Sequence, residues 1–300
     1  MTPMRNCLAR ASLILAVAGV LRVIPDAAAR QTEAVQSPRF SARTQGVLAD
    51  VLVTRDGRPV PGLTAADFEL RDNGVVQKVD LIEWSDLPVN VVMALDVSAS
   101  TTGDRLTHLR AASRTLLDGL KPGDRTALIT FSEAVTPRLA LTTDRSSIGA
   151  AIDAIAPAGE SAILDGLYTA LMATQAETGR SLVVLCTDGT DTASWLQTGD
   201  VIESARRSNA VVYVVATGGA RRWAPLKEFA NSTGGDTIEV ETSRNLAEQF
   251  AAILRLFRSR YVLTYTPAGV AAGGFHRLEV RVRRSGMNVK ARPGYFAVER

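Results

Sequence analysis

Four short, almost continuous runs of apolar residues constrain the fold of this chain more than any other feature. A run of this kind suits a strand that is buried on both faces of a sheet, as strands of parallel sheets are. Between the runs, apolar residues recur every three or four positions, which is typical of helices. The runs lie at residues 89–95, 126–131, 181–187 and 211–217.

The alternation of these strands with helices predicts the architecture of residues 87–258. One predicted helix places Leu109 and Leu116 on the same face, and a later helix does the same with Phe250 and Leu254. Strand, helix and strand in this order indicate parallel strands joined by right-handed crossovers. We therefore predict an α/β domain with a Rossmann-like, doubly wound, mostly parallel sheet.

The segments on either side of this domain have a different pattern. Residues 40–86 and 259–300 are rich in β-forming residues, and Asp72-Asn73-Gly74 is a strong hairpin signal between two predicted strands, at 68–71 and 75–83. Neither segment has helices to cover its strands or enough length to bury a good core alone. We expect the two segments to pair in one small antiparallel β-sandwich into which the α/β domain is inserted.

Residues 1–29 have the features of a cleaved export signal. Arg5 and Arg10 precede an apolar run at 11–21, and small residues near Ala29 offer a cleavage site. The run is too short to span a bilayer, which takes about 20 residues. The protein is therefore expected to be secreted or periplasmic and not to span the membrane.

Removal of the signal changes the charge and the cysteine content of the chain. It takes away three arginines and one aspartate, so the formal net charge falls from +3 to +1, which gives no support to a nucleic-acid partner. It also removes Cys7 and leaves Cys186 alone, which excludes an internal disulfide. The next segment, 30–39, is polar, contains Pro38 and is interpreted as a linker.

Acidic and hydroxyl side chains follow two of the apolar runs. The first run ends in Asp96-Val97-Ser98-Ala99-Ser100, and the third ends just before Asp188. The carboxyl ends of parallel strands meet at the edge where open α/β folds bind ligands. Carboxylate and hydroxyl oxygens are hard donors of the kind that Mg²⁺ accepts, so this edge is a candidate metal site.

These residues also allow other interpretations. Asp96 and Asp188 could instead cap helices, and Asp96 could be the nucleophile of a haloacid-dehalogenase-like phosphatase, although Ser98 stands where such enzymes have a second acid. With only His108 and His276, a multi-histidine zinc site is not expected.

Three further features are interpreted as structural. Cys186 lies inside an apolar strand and is expected to be a buried, inert thiol. His108 and His276 are expected to be surface or packing residues. The basic residues that alternate with apolar ones over 277–292 are interpreted as the solvated face of a strand pair.

At this edge the chain resembles the von Willebrand factor A-type domain. Asp96, Ser98 and Ser100 match the DxSxS part of its metal-ion-dependent adhesion site, Asp188 matches its later aspartate, and Ser161 stands where the family usually has threonine. The flanking sequences LTAADFELRDNG, YVLTYTP and VKARPGYF resemble secreted bacterial proteins with a von Willebrand factor A-related acidobacterial domain.

This resemblance implies how the site would work. Asp96, Ser98, Ser100 and Ser161 would form the inner shell of an Mg²⁺ ion, or of Mn²⁺ or Ca²⁺, and Asp188 would act through water. An open coordination position would take a carboxylate from a partner. Asp191, in the same loop as Asp188, is expected to hold these ligands in position without contacting the ion itself.

The loops that follow the parallel strands are expected to border the ion and to form a ligand rim. The sequence as a whole predicts an exported, non-enzymatic adhesion protein that captures an exposed carboxylate of a protein or other macromolecule. The alternatives are an Mg²⁺-dependent hydrolase that uses Asp96 and a structural scaffold whose metal site is empty. The predicted rim residues are Trp195, Arg221, Arg222 and Trp223.

Overall fold

The computed structural model describes most of the chain after residue 45. The predicted export signal and the linker lie outside the described residues. The described residues are 46–82, 88–175, 179–218, 220 and 223–297.

Five short strands precede the central sheet. They are β1 (Val47–Arg55), β2 (Arg58–Pro59), β3 (Phe68–Asp72), β4 (Val75–Gln77) and β5 (Asp80–Ile82). The predicted hairpin between β3 and β4 is confirmed, and Asn73 and Gly74 at its turn have φ angles of 46° and 83°, as a two-residue hairpin turn requires. The single strand predicted over 75–83 is wrong, because β4 and β5 belong to different sheets. The chain leaves the sheet of β4 after Gln77. The side chain of Gln77 makes two hydrogen bonds of 3.0 Å with the backbone of Ala268, donating one and accepting the other.

A six-stranded sheet forms the centre of the described chain. Its strands are β6 (Val89–Asp96), β7 (Arg125–Phe131), β8 (Val135–Thr142), β9 (Arg180–Thr187), β10 (Val211–Thr217) and β11 (Thr237–Val240). Their order is β11-β10-β9-β6-β7-β8, and all neighbours are parallel except β7 and β8. Every residue of β6, β9 and β10 is buried, which explains why these strands read as continuous apolar runs.

Helices cover both faces of this sheet. They are α1 (Asp104–Asp118), α2 (Arg145–Asp153), α3 (Ile163–Gln175), α4 (Thr198–Arg207), α5 (Pro225–Ser232) and α6 (Leu246–Arg258). Met93 of β6 points into the core formed with α1, α2 and α6, and its neighbour Ala94 points into the core formed with α3, α4 and α5. Each large apolar side chain buried in this way contributes roughly 1.5–3 kcal/mol.

The C-terminal strands pair with the N-terminal ones. They are β12 (Tyr261–Tyr265), β13 (Gly274–Val282), β14 (Asn288–Lys290) and β15 (Gly294–Ala297). One sheet has the order β14-β1-β12-β5, with β2 beside β1, and the other has the order β15-β13-β3-β4. Val51, Leu70 and Leu263 belong to the core that the strands of both sheets share. The predicted fold class, a mostly parallel α/β sheet combined with antiparallel β-structure, is confirmed.

Five of the described elements are not predicted by the sequence pattern, and one of them is the two-residue strand β2. The helices α4 and α5 are short, and β11 and β15 have only four residues each. Segments of this length contain too few apolar repeats to define a period. None of the described helices is long and apolar enough to cross a membrane.

Candidate metal centre

Asp96 is the last residue of β6 and lies at the carboxyl edge of the central sheet. It is buried, with 2% of its surface exposed. The backbone N–H of Ser98 donates a hydrogen bond of 3.0 Å to Asp96 Oδ1, and the hydroxyl of Thr187 donates one of 2.6 Å to Oδ2. The turn after β6 and the end of β9 therefore hold the carboxylate in place.

Three serine hydroxyls connect Asp96 with Asp188. Ser161 Oγ lies 3.1 Å and 3.3 Å from the two carboxylate oxygens of Asp96. Ser98 Oγ lies 3.0 Å from Ser100 Oγ, which donates a hydrogen bond of 2.7 Å to Asp188 Oδ1. The structure thus brings all five residues predicted as metal ligands together at one sheet edge.

The loop that carries Ser161 is fixed by Asp191. Asp191 Oδ1 accepts the backbone N–H groups of Ile163 and Leu164 at 2.7 Å and 3.2 Å, so it satisfies two free donors at the start of α3. This position fits the supporting role predicted for Asp191. Gly189 leaves space for the hydroxyl, since a Cβ there would lie 3.3 Å from Ser161 Oγ.

Arg105 forms an ion pair with the second carboxylate oxygen of Asp188. Its guanidinium donates to Asp188 Oδ2 at 2.8 Å and to the carbonyl oxygen of Ser100 at 3.2 Å. The Arg105 side chain is 53% exposed, whereas that of Asp188 is 8% exposed. Sequence reasoning missed this residue. Its position near the start of α1 was the available signal, because a cation there is unfavourable for the helix dipole unless it is paired.

Thr187 was also missed as a member of the site. It directly precedes Asp188 at the end of a buried strand, and its hydroxyl points to the neighbouring strand β6. A hydroxyl at a buried strand end needs a partner, and this requirement could have identified it.

The electrostatics of the site favour a cation. Burial raises the pKa of Asp96, hydrogen bonds from Thr187 and Ser98 counteract the rise, and the nearby charge of Asp188 adds to it. A positive ion would offset the cost of keeping this carboxylate charged. A cavity of about 20 Å³ borders Asp96, Thr187 and Asp188 and can hold one group of the size of water.

The chemistry of the donors also fits a hard divalent ion. Carboxylate and hydroxyl oxygens are the ligands that Mg²⁺, Mn²⁺ and Ca²⁺ prefer. Within the described residues, no cluster of three or more His, Cys, Asp or Glu side chains is placed to hold a metal. A metal at this edge would therefore depend on the serine hydroxyls as well as on Asp96 and Asp188.

The structure describes two of the four predicted rim residues, and their surroundings differ. Trp195 is 89% exposed, and its backbone N–H donates to Asp165 Oδ2 at 3.0 Å. Trp223 is not a free rim residue, because its ring packs edge-on against Phe229, with 6.1 Å between centroids, beside the core. Arg221 and Arg222 lie outside the described residues.

The cysteine and the two histidines of the described chain lie in buried or hydrogen-bonded positions. Burial raises the pKa of the Cys186 thiol, and the charge of Asp96 raises it further, so the predicted burial of this thiol is confirmed. His108 Nδ1 lies 2.8 Å from Ser243 Oγ, and His276 is buried in the sandwich with Nδ1 2.8 Å from Asp72 Oδ1. Both histidines pack against the protein, as predicted.

Comparison with known sequences identifies the domain that contains this site. The sequence profile of the von Willebrand factor type A domain matches residues 90–252, more than half of the chain. A curated relative, a UPF0353 protein of Mycolicibacterium paratuberculosis, is 32% identical over 95 residues. This match covers 29% of the chain and 28% of the relative, so the chain spans less than a third of that protein.

Comparison with solved structures gives the same fold. A von Willebrand factor type A protein from Catenulispora acidiphila matches with a TM-score of 0.51 and 14% identity, over 87% of this chain and 75% of that one. Proximal thread matrix protein 1 from the mussel byssus, whose metal-ion-dependent adhesion site (MIDAS) motif is occupied by zinc, also matches. Its TM-score is 0.52 at 18% identity, and the match covers 64% of this chain and 50% of that one. At these identities the likeness concerns the fold alone.

Proposed function

The chain belongs to the von Willebrand factor type A domain family, and on this premise we propose that it is a metal-dependent binding protein that captures an acidic group of another macromolecule. One observation carries the proposal, namely the convergence of five oxygen-bearing side chains at the carboxyl edge of the central sheet. They are Asp96, Ser98, Ser100, Ser161 and Asp188.

The residues of the site have separate tasks in this proposal. Asp96, held by Ser98 and Thr187, would be the buried anionic ligand, and the serine hydroxyls would add neutral oxygen donors. Asp188 would give the second carboxylate once Arg105 releases it. When bound, a divalent cation would supply a coordination position open to a carboxylate oxygen of the partner. Mg²⁺ is the proposed ion, with Mn²⁺ and Ca²⁺ as alternatives.

The surroundings of the site support capture of a macromolecule rather than catalysis. Trp195 stands exposed on the loop that follows β9, as an anchor residue of an interface would. The oxygens of Asp96 already accept hydrogen bonds from Ser98, Thr187 and Ser161, which leaves this carboxylate poorly placed to attack a substrate. We therefore propose a non-enzymatic role with a protein or other acidic macromolecule, not with nucleic acid.

We further propose that the protein acts after export, in the periplasm or outside the cell. Support comes from the sequence at 1–29, where a basic start, an apolar run and small residues near Ala29 follow one another. Expression of the full chain in a bacterium, followed by mass analysis of the mature protein, tests this: a mature N-terminus close to Ala29 is expected, and an intact Met1 contradicts it.

Calorimetric titration tests the metal centre directly. Mg²⁺, Mn²⁺, Ca²⁺ and Zn²⁺ are added in turn to the wild type, to Asp96→Ala and to Asp118→Ala. We expect one site in the wild type, its loss in Asp96→Ala and its retention in Asp118→Ala, which removes an exposed carboxylate at the far end of α1. Equal binding by all three proteins would exclude Asp96 as a ligand.

Retention on immobilised polyglutamate tests the capture of carboxylates. The wild type should be retained with Mg²⁺ and eluted by a chelator, and Trp195→Ala should be retained less while its metal affinity stays unchanged. Retention that persists in chelator would contradict a metal-dependent mechanism. Hydrolysis of a generic phosphate ester by the wild type, abolished in Asp96→Ala, would favour the hydrolase instead.

A further inference from the structure

The loop that follows β9 presents the ring of Trp195 to solvent. Trp195 is 89% exposed, the largest exposure among the large apolar residues of the described chain. The next residue, Leu196, packs against the core formed with α3, α4 and α5. Covering an aromatic ring removes a large apolar area from water, and aromatic pairs gain more than the buried area alone provides. The ring of Trp195 is therefore surface that a partner would gain by covering.

The backbone that carries this ring is fixed by Asp165, in the first turn of α3. Asp165 Oδ2 accepts the backbone N–H of Trp195 at 3.0 Å, and Oδ1 accepts that of Leu196, also at 3.0 Å. The backbone N–H of Asp165 in turn donates to Ser194 Oγ at 3.2 Å. Hydrogen bonds to a carboxylate are about twice as strong as those between neutral groups. Asp165 thus holds the loop while the indole stays in solvent.

The same loop is tied to Ser161, one of the proposed metal ligands. The carbonyl oxygen of Ser161 accepts the backbone N–H groups of Thr192 and Ala193 at 2.9 Å and 3.2 Å, and its own N–H donates to Thr192 Oγ1 at 3.2 Å. Two residues of extended chain span at most about 7 Å, so the Cα atom of Trp195 lies within about 7 Å of that of Ala193. Trp195 and Ser161 therefore belong to one hydrogen-bonded unit.

The composition of this loop indicates which kind of partner it fits. Residues 188–197 contain two aspartates, one tryptophan and one leucine, and no lysine or arginine. Segments that lie on anionic membranes combine basic residues with several exposed apolar ones, and this loop has neither. A single exposed aromatic ring beside an acidic metal site fits a protein segment better, because such a segment can offer a carboxylate and an aromatic side chain together.

We propose that the metal centre and Trp195 form one two-part docking surface for an acidic protein segment with an aromatic side chain close to its carboxylates, and that Asp165 is its positioning residue. The inference rests on the proposed function, because the partner's carboxylate would bind at the metal centre. Asp165 contributes by fixing the backbone under the ring, so that less of the loop has to be ordered when the partner binds.

Retention on two immobilised polymers tests the docking surface. One is polyglutamate and the other is a glutamate–tyrosine copolymer of similar length, each with Mg²⁺ or with chelator. In Mg²⁺ the wild type should bind the copolymer about fivefold more tightly or better, as an anchor residue provides. Equal binding to both polymers would overturn this inference and leave the proposed function intact, whereas absence of metal-dependent binding to either would contradict both. Tighter binding to phosphatidylglycerol vesicles than to the copolymer would overturn the inference in favour of a membrane.

Substitutions separate the ring from its support. Trp195→Ala removes the ring, and Asp165→Ala removes the two hydrogen bonds to the loop. Both should lose the preference for the copolymer and keep the metal affinity of the wild type in calorimetry, because the loop still holds Ser161 through its backbone. Asp165→Asn, which keeps one of the two acceptor oxygens, should restore part of the preference. Asp200→Ala is the matched control, since Asp200 is an exposed aspartate in the first turn of α4, and it should behave like the wild type.

Hydrogen exchange shows whether Asp165 acts through the backbone of the loop. The amides of Trp195 and Leu196 should exchange about tenfold faster or more in Asp165→Ala than in the wild type, whereas the amides of β9 should keep their rates. Faster exchange together with the lost preference supports the positioning role. A preference for the copolymer that survives in Asp165→Ala, or equal exchange in the two proteins, would overturn it.

Discussion

The two ends of the central sheet hold their charged side chains in different ways. At the carboxyl end, Asp96 and Asp188 meet serine hydroxyls and one partly exposed cation, Arg105. At the amino end, aspartates meet buried or half-buried arginines directly: Asp50 lies beside Arg180 and Arg260, and Asp124 pairs with Arg258. Strands of the sandwich contribute to these contacts at the amino end, whereas the carboxyl end is formed by loops. The carboxylates at the loop end therefore keep oxygens that the metal proposed above could use, whereas those at the covered end already have permanent cationic partners.

The largest expected effect concerns the covered end. Asp50→Ala leaves Arg180 and Arg260 without their carboxylate, which should lower the free energy of unfolding by about 3–5 kcal/mol, measured by urea denaturation. Asp118→Ala, an exposed change, should lie within about 0.5 kcal/mol of the wild type. A loss below about 1 kcal/mol for Asp50→Ala would mean that carbonyl groups alone hold these arginines, and the contrast between the ends would disappear.

At the loop end, removal of a charge should have the opposite effect on stability. Burial raises the pKa of Asp96, so the folded state disfavours its charged form. In chelator, Asp96→Asn should therefore increase the free energy of unfolding by about 0.5–2 kcal/mol while abolishing metal binding. The urea midpoint and a metal titration of the same protein measure both effects. A less stable Asp96→Asn protein would show that the hydrogen bonds at this carboxylate need its charge.

The smallest expected effect comes from Arg105. Arg105→Gln frees Asp188 from a partly exposed ion pair, which is worth about 0.2–1 kcal/mol, so metal affinity should rise by up to roughly fivefold. Arg114→Gln is the matched control, since Arg114 lies on the same helix and pairs with Asp153. Calorimetry separates the two, and unchanged or weaker metal binding by Arg105→Gln would show that Arg105 does not compete for Asp188.

The sequence predicted the sheet and the oxygen donors because both depend on local pattern. A buried strand is an apolar run, and a parallel sheet aligns the ends of its strands, so Asp96 and Asp188 had to meet at one edge. The burial of Arg292 depends instead on long-range packing. Arg292 alternates with apolar residues like an exposed arginine, but it is buried and donates to the carbonyl oxygen of Arg206 at 2.7 Å. Trp223 occupies a loop position that suited either exposure or packing, and its ring packs against Phe229 of the following helix, α5.

The pairing of β1 has a consequence for the time at which the sandwich can form. Residues of β1 and β12 that face each other, such as Val51 and Tyr261, lie some 210 residues apart in the chain. During synthesis at about 5–20 residues per second, that distance takes roughly ten to forty seconds to traverse. Among the described residues before the central sheet, only the two residues of β2 pair with β1 during this interval. The ribosome therefore releases the inserted α/β domain complete before the strands that enclose it can meet.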